Sequence, residues 1–488
     1  MRKKVIIIGA GIGGLSTAIR LATNNYEVEV YESAAKYGGK TKRIEKDGFT
    51  WGYGASLFTM PHLLDELFIL CNKNPKEYYS YHKLDPICKY FFADGTILNA
   101  RADKEMLVEE IAQKLHEDKE SLQKHLRSIS TIFKHTEHIF LQSSLQKFKT
   151  YFQFKTLKSL LNLWNIGLTQ SMNDKNQSLF KQKNTIQLFN RYATYNGSSP
   201  YKTPATMNVI AAPEYTQGAY IMDKGMPQVA EVLYQLALEQ GVQFHFNTKV
   251  NEILIENKKV KGIQIKDQQY FADIVVSNVD VDYTYKNLIP NATKPLHVLN
   301  QERSTSAIIY YFGMSKSFDM LETHNIFFSD IYQNEFDSIQ KGEVYKDATA
   351  YLFISSKKIK SHAPTNMENW FLLVNAPHNI DQDWEKIAQQ CKKQMLDKVS
   401  KYVGEEVSNY IISEQLNTPI TIEKDTHSIA GSLYGASSNN KMSAFLRHPN
   451  FSKEIKNLYF AGGSVHPGGG VPLCLLSGKI VADLITTS

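Results

Sequence analysis

An α/β fold, with a dinucleotide-binding domain split along the chain around an inserted α+β domain, follows from three features of the sequence. A strand, glycine and helix unit opens the chain, a glycine-rich elbow between an apolar strand and a helix closes it, and stretches of different character lie between. At 488 residues the chain exceeds what one core usually supports, so two domains are expected.

Val5-Ile6-Ile7-Ile8 has the composition of a fully buried strand and runs into Gly9-Ala10-Gly11-Ile12-Gly13-Gly14, then a helical stretch from Leu15 to Ala22. Glu27-Val28-Glu29-Val30-Tyr31 supplies a second parallel strand. Glu32 closes it at the roughly 20-residue spacing where an acid holds a ribose hydroxyl and disfavours a 2′-phosphate. An isolated glycine pattern also fits a plain turn, but here strand, glycines, helix, strand and acid occur in one unit of about thirty residues. Gly9, Gly11, Gly13 and Gly14 are therefore candidates for contact with a dinucleotide. The pair Gly38-Gly39 followed by Lys40 brings a second glycine turn and a cation toward the same pyrophosphate, a pairing that favours FAD over NAD. Its bland alternative is an ordinary turn. No second unit of this kind offers a site for a separate nicotinamide cofactor.

At the other end, Asn457 to Phe460 forms a short apolar strand, and five glycines fall within the nine positions from Gly462 to Gly470. Pro472 follows in what the pattern predicts as a first helical turn. Such an elbow lets backbone amides approach a flat, partly anionic group and aims a helix N-terminus at it. Taken alone, it fits a tight strand-to-helix loop equally well.

Between these ends, Gly48 to Pro61 is punctuated by glycines and leads to a helix over His62 to Cys71. Strands are predicted at Lys89 to Phe92 and Thr96 to Asn99, hinged at Asp94-Gly95, then long polar helices from Lys104 to Phe140. Gly225-Met226-Pro227 opens a helix from Gln228 to Gln240. Four short strands follow, at Val242 to Phe246, Val250 to Ile255, Val260 to Ile265 and Asp273 to Ser277. The resulting division assigns 1–74, 225–287 and 418–488 to the nucleotide-binding domain, and 75–224 and 288–417 to a substrate domain whose helical part spans 104–185.

Composition excludes several classes. A net charge of +6 and a pI near 8.7 are mild, and no block of like charge suits nucleic acid, so no nucleic-acid partner is expected. The four cysteines have neither metal spacing nor a paired framework, so no metal and no disulfide are expected, as suits a reducing cytoplasm. The apolar run after Met1-Arg2-Lys3-Lys4 breaks into glycines after four residues, too early for a signal peptide. No stretch approaches the ~18 apolar residues of a membrane span. Phe154, Leu157, Leu161, Trp164 and Leu168 nevertheless form a helical stripe, and Lys147, Lys149, Lys155, Lys158, Lys175, Lys181 and Lys183 surround it against Asp174. That pattern suits peripheral association with an anionic membrane surface, or a helix packed on its own domain.

These residues together resemble the carotenoid (phytoene) desaturase family of FAD-dependent oxidoreductases. The similarity spans the chain and is strongest through Gly39-Lys40, from Gly225 to Asp280 with Val276-Ser277-Asn278-Val279-Asp280, and from Asn457 to Gly478. It implies a Rossmann-like FAD-binding domain in which Gly9, Gly11, Gly14, Glu32, Gly39 and Lys40 hold the adenosine diphosphate. The backbone of Val250 would face the adenine, and Gly463, Gly470 and Val471, with Pro472, would flank the isoalloxazine. Ser56 and Asn278 join the candidate cofactor set. Gly52 and Ala55 stand where many relatives have an acid and a proline, Val465 replaces the usual Thr or Ala, and Gly469 is an added glycine. Gly469 to Cys474 and Ser56 to Pro61 are similar to the 1-hydroxycarotenoid 3,4-desaturases more than to the phytoene enzymes.

The resemblance implies desaturation of a long polyene lipid, a carotenoid, with oxygen or a quinone accepting the electrons. A reaction that removes a hydride and a proton from adjacent carbons needs no obligatory protein base. His466, in the elbow, is the candidate if one exists, since its chemistry suits the task, but hydrogen bonding within the loop explains it as well. His324 and Arg191 are weaker candidates, Arg191 being equally explained by solvation at the surface. Cys474 suggests either a covalent flavin link or a small apolar residue on a helical turn. Phytoene desaturation, an isoprenoid-binding chaperone on the same fold and an amine oxidase stand as alternatives.

Overall fold

The structure is a computed structural model and describes residues 2–140, 170–440 and 447–487. The stripe from Phe154 to Leu168 and Lys147, Lys149, Lys155 and Lys158 lie outside the described residues. The remaining members, Lys175, Lys181 and Lys183, lie on or beside the helices Met172–Leu179 and Lys183–Asn190.

The nucleotide-binding fingerprint lies in a five-stranded parallel sheet. In order its strands are Leu458–Phe460, Ile274–Ser277, Lys4–Ile8, Glu27–Tyr31 and Gln243–His245. Lys4–Ile8 sits in the middle, which explains its unbroken apolar run: Val5 and Ile7 pack into the core beneath the helices, while Ile6 and Ile8 face the opposite core. The first of these cores holds the helices Ile12–Thr23, Pro227–Glu239 and Val471–Thr486. The second is capped by an antiparallel sheet of Glu252–Glu256, Lys259–Ile265 and Gln268–Phe271. The closing strand thus joins a sheet begun more than four hundred residues earlier.

A seven-stranded sheet forms the second body, in the order Ile411–Asn417, Ser306–Met314, Glu368–Ala376, Ala350–Ile354, His324–Phe327, Cys88–Phe91 and Ile97–Ala100. Its pairs are antiparallel except His324–Phe327 with Cys88–Phe91. Every residue of Ser306–Met314 is buried, because both faces are covered. Ile308, Tyr310, Phe312 and Met314 pack with Trp370 and Leu372 against the helix Trp384–Val403. Ala307, Ile309 and Tyr311 face the other way, toward Trp51 on the hairpin Arg43–Lys46 and Phe49–Gly52.

The structure refines one local expectation and departs from two. The polar helical stretch from Lys104 to Phe140 is two helices, Lys104–Leu115 and Lys119–Phe140, separated by His116 at a left-handed φ of 57°. Glu117 in the break is buried, and its carboxylate accepts the backbone N–H groups of Lys181 and Gln182. The side chain of Asp118 accepts the N–H of Ser121 in the first turn of the second helix. The strand Gln268–Phe271 was not foreseen, since its largely exposed and polar residues show no buried face. Residues 250–251 precede the strand that begins at Glu252, so Val250 lies in the loop entering it.

Candidate active site

One cavity of about 680 Å³ runs between the two sheets, within the ~300–1,000 Å³ range of small-molecule sites. The end lined by the N-terminal glycines and the C-terminal elbow is built mainly from backbone. The helix Ile12–Thr23 has Gly11 as its N-cap and the helix Val471–Thr486 has Gly470; neither has a side-chain cap, and neither has an acid in its first turn. Gly11 to Gly13 and Gly470 to Pro472 all line the cavity, so the uncapped N–H groups of two helices are available to an anionic or electron-rich ligand there.

Two glycines make this meeting of chain ends possible. A Cβ on Gly13 would lie 2.8 Å from the backbone nitrogen of Gly462 and 2.8 Å from Asn278 Nδ2; a Cβ on Gly462, which has φ +109°, would lie 2.6 Å from the same amide. Asn278 ties the three strands together: its N–H donates to the Ile8 carbonyl and its Nδ2 to the Ala461 carbonyl at 3.0 Å. Ser477 Oγ accepts the Gly462 N–H at 3.0 Å, fixing the elbow to its own helix.

Glu32 ends the second strand. One carboxylate oxygen accepts the Ala10 N–H at 2.8 Å and the other the Ala34 N–H at 2.8 Å. A carboxylate has about four acceptor sites, so capacity is left for a ribose diol. Lys40 is half-buried, donates to the Leu433 carbonyl at 2.7 Å, and desolvation lowers its pKa to about 8. Such a cation fits beside an anion. Uncapped helix ends, a glycine cradle, a strand-end acid and a half-buried cation thus match the donor set that a flavin dinucleotide requires.

The other end of the cavity rests on the seven-stranded sheet. Ile309, Ile326, Phe371 and Leu373 supply an apolar floor, with Met207, Val209, Ile210 and Phe133 opposite. Polar groups are concentrated in two places. Arg191 Nη2 pairs with Glu214 Oε1 at 2.9 Å, with both side chains buried, and Tyr192 and Tyr195 donate to the two oxygens of the same carboxylate at 2.8 Å each. Beside them, His324 Nδ1 meets the Tyr351 hydroxyl at 2.7 Å, and that hydroxyl donates to Ser56 Oγ at 2.7 Å. Burial, with the Arg191 charge nearby, lowers the pKa of His324 to about 3, so it is neutral.

The structure brings together Gly9, Gly11, Gly13, Glu32, Gly39, Lys40, Ser56, Val250, Asn278, Gly463, Gly470, Val471 and Pro472 around one cavity, with His466 in its wall. Gly14 is set back from it. A Cβ there would meet the Gly9 carbonyl at 2.2 Å, so this glycine serves the close approach of helix to strand. His466 is buried, its N–H donates to the His448 carbonyl, and its own carbonyl accepts from Asn450 Nδ2. Arg191 is buried within its tyrosines rather than solvated, which corrects the surface alternative. Burial raises the Cys474 thiol to about 11, so it is protonated at neutral pH and ill suited to a covalent attack. Glu214, Tyr195 and Tyr351 were not singled out from sequence. Nothing in their local sequence marked them, because each acts through partners on distant segments.

Residues 12–486 match the family described as flavin containing amine oxidoreductase. A 1-hydroxycarotenoid 3,4-desaturase from Flavobacterium sp. is 44% identical over 484 residues, 99% of either chain. A 4,4′-diapolycopene oxygenase from Methylomonas sp. is 31% identical, covering 99% of this chain and 98% of its own. A 4,4′-diaponeurosporene oxygenase from Staphylococcus aureus is 32% identical with the same coverage. Among solved structures, putrescine oxidase bound to putrescine superposes with a TM-score of 0.67 at 13% identity over the whole of both chains. An oxidoreductase from Methanosarcina mazei gives 0.66 at 14% identity, covering 99% of this chain and all of the other. At these identities the two structures attest the fold alone.

Proposed function

Because the chain belongs to the flavin-containing amine oxidoreductase family and is an FAD-dependent oxidoreductase, we propose that it introduces a carbon–carbon double bond into a hydroxylated acyclic or monocyclic carotenoid by 3,4-desaturation. The observation that carries this reading is the continuity of the cavity, from a backbone-built nucleotide cradle into a chamber with an apolar floor. The full-length similarity to a 1-hydroxycarotenoid 3,4-desaturase supports it.

FAD, when bound, supplies a two-electron acceptor for the hydride removed from one carbon while a proton leaves its neighbour. In this reading Gly9, Gly11, Gly13, Gly39 and Lys40 hold the pyrophosphate, Glu32 the ribose, Val250 the adenine edge, and Gly463, Gly470, Val471 and Pro472 the ring system. Asn278 holds the two ends of the cradle at the spacing the cofactor needs, and Ser56 stands where cradle and chamber meet. The first turn of the helix Val471–Thr486, lacking an acid, stabilises negative charge developing beside it. The sheet face carrying Ile309, Phe371 and Leu373 excludes water and orients an extended hydrocarbon.

Dioxygen or a quinone would reoxidise the cofactor. We also propose that the substrate is taken from a membrane surface by peripheral contact through the basic, aromatic stretch of residues 141–183. No helix among the described residues is long and apolar enough to cross a membrane. An isoprenoid-binding chaperone would have no use for the cradle and its acid, and these features weigh against that alternative.

The test is purified protein reconstituted with FAD and liposome-dispersed carotenoids. A red shift of the polyene absorption with a hydroxylated acyclic or monocyclic substrate is expected. No shift with any of them overturns the reading, phytoene as the sole substrate selects phytoene desaturation, and peroxide release from small amines selects an amine oxidase.

A further inference from the structure

The chamber holds a polar chain that a hydrocarbon alone does not require. Ser56 stands two residues after Gly54, whose Cβ position lies 3.1 Å from the Lys40 carbonyl, and both line the cavity, so the chain begins on the Lys40 side of it. From Ser56 it passes to Tyr351 and ends on His324. His324 and Tyr351 stand on adjacent antiparallel strands, where His324 pairs with Phe353 and Ile326 with Tyr351, so both side chains share the face that floors the chamber.

The direction of the hydrogen bonds fixes what the end of this chain can recognise. A tyrosine has one hydroxyl proton, and that of Tyr351 goes to Ser56 Oγ. Its oxygen must then accept from His324 Nδ1–H. His324 is neutral, so Nε2 carries a lone pair and no proton. Among the described residues Nε2 is buried and meets no hydrogen-bond partner. Buried polar atoms are usually paired in folded proteins; Arg191 Nε and Thr206 Oγ1 along the same cavity also lack a partner, but His324 Nε2 ends the polar chain on the chamber floor and can only accept, which suits a ligand donor. The neighbouring Arg191 and Glu214 cluster is a poorer reader, since Glu214 already accepts three hydrogen bonds, from Arg191, Tyr192 and Tyr195, of the about four its carboxylate can take.

Resting on the function proposed above, we infer that His324 Nε2 accepts a hydrogen bond from the substrate's hydroxyl and makes His324, held by Tyr351 and Ser56, the specificity-determining residue for hydroxylated polyenes. The chemistry of 3,4-desaturation of a 1-hydroxy substrate agrees, because the hydroxyl sits two carbons from the bond being oxidised. Its reader must therefore lie near the cofactor end, where Ser56 stands. A methyl ether at the same carbon offers no proton and is rejected.

The test compares the holoenzyme with His324→Phe, His324→Gln and Tyr351→Phe, each on a 1-hydroxycarotenoid and on the same polyene without the hydroxyl. Phenylalanine at 324 is expected to lower kcat/KM for the hydroxylated substrate by about tenfold to a hundredfold, the range of one buried hydrogen bond, and to leave the deoxy substrate unchanged or improved. Glutamine, whose amide oxygen can stand near Nε2, is expected to restore part of the preference. Tyr351→Phe, which frees the tautomer, is expected to fall between. Equal losses on both substrates, or an unchanged preference in all three variants with flavin absorbance intact, overturn the inference. Should the Phe variant fail to retain flavin, the Gln and Tyr351→Phe pair decides by the same ratio. A wild-type enzyme inactive on the hydroxylated substrate defeats the proposed function instead, which keeps the two failures apart.

Discussion

The two ends of the cavity are made of different material. The end beside the N-terminal glycines is mostly backbone, helix N-termini and glycine turns, with one asparagine that links three parallel strands and the side chains of Glu32 and Lys40 beside them. The substrate end is side chains drawn from segments hundreds of residues apart, as with Ser56 and Tyr351. A backbone site depends on where Cβ atoms are absent, whereas a side-chain site depends on pairs of polar groups whose partners must both be present. The first tolerates no added atom where the two glycine turns meet, at Gly13 and Gly462, and the second tolerates no missing partner.

That contrast can be broken most decisively at Gly13. Gly13→Ala places a methyl 2.8 Å from the Gly462 nitrogen, where something must shift. Flavin affinity, read by titrating the apoprotein with FAD, is expected to fall by at least about tenfold, since a displacement costing only 1.4 kcal/mol has that effect on the dissociation constant. Unchanged affinity in this variant would show that the cradle is not set by the meeting of the two glycine turns.

At the substrate end the largest effect should come from halving the buried ion pair. Removing one partner of such a pair costs about 3–5 kcal/mol, because the other charge is left buried and alone. Arg191→Met is therefore expected to lower the denaturant midpoint substantially, and Arg191→Met with Glu214→Leu to recover part of the loss. If the double variant is no more stable than the single, the cluster contributes through packing rather than charge. Flavin content of the folded fraction should be unaffected, which separates this end from the other.

A smaller effect sharpens the cation's role in the cradle. Burial lowers the pKa of Lys40 to about 8, so in flavin-free protein it loses its proton as pH rises through that value. Binding an anion beside it favours the protonated form. Flavin affinity is thus expected to be highest below pH 8 and to weaken between about pH 8 and 10, where the free protein must take up a proton to bind. Lys40→Met should flatten this dependence and weaken binding at pH 7 by about tenfold, the equivalent of one pKa unit. Titration of the apoprotein with FAD at several pH values measures both; an unchanged slope in the variant would assign the pH dependence to another group.

Much of the cradle was legible in the sequence. A buried strand, glycines at fixed offsets and an acid at fixed distance are local patterns, and each has a backbone reason that operates within about thirty residues. The elbow from Gly462 to Pro472 was legible as a candidate for the same reason, although only its pairing with the N-terminal unit gave it meaning. The break at Glu117 was hidden because the carboxylate's partners, the N–H groups of Lys181 and Gln182, lie more than sixty residues on. Gln268–Phe271 was hidden because an exposed strand shows no buried alternation.

By itself, then, the sequence marked the N-terminal unit as a candidate nucleotide cradle built of backbone, Glu32 as an acid suited to a free ribose, and the elbow from Gly462 to Pro472 as a candidate contact for a flat group. Tertiary structure alone decided that these two ends share one cavity, that Gly14 packs rather than lines it, that Arg191 is buried against Glu214, and that His324 ends a chain from Ser56 through Tyr351. The physical reason is range. Backbone conformation and helix ends are set by residues within a turn or two, so they leave a local trace. A buried polar contact is set by whichever strand happens to lie opposite, and no spacing within the sequence records that neighbour.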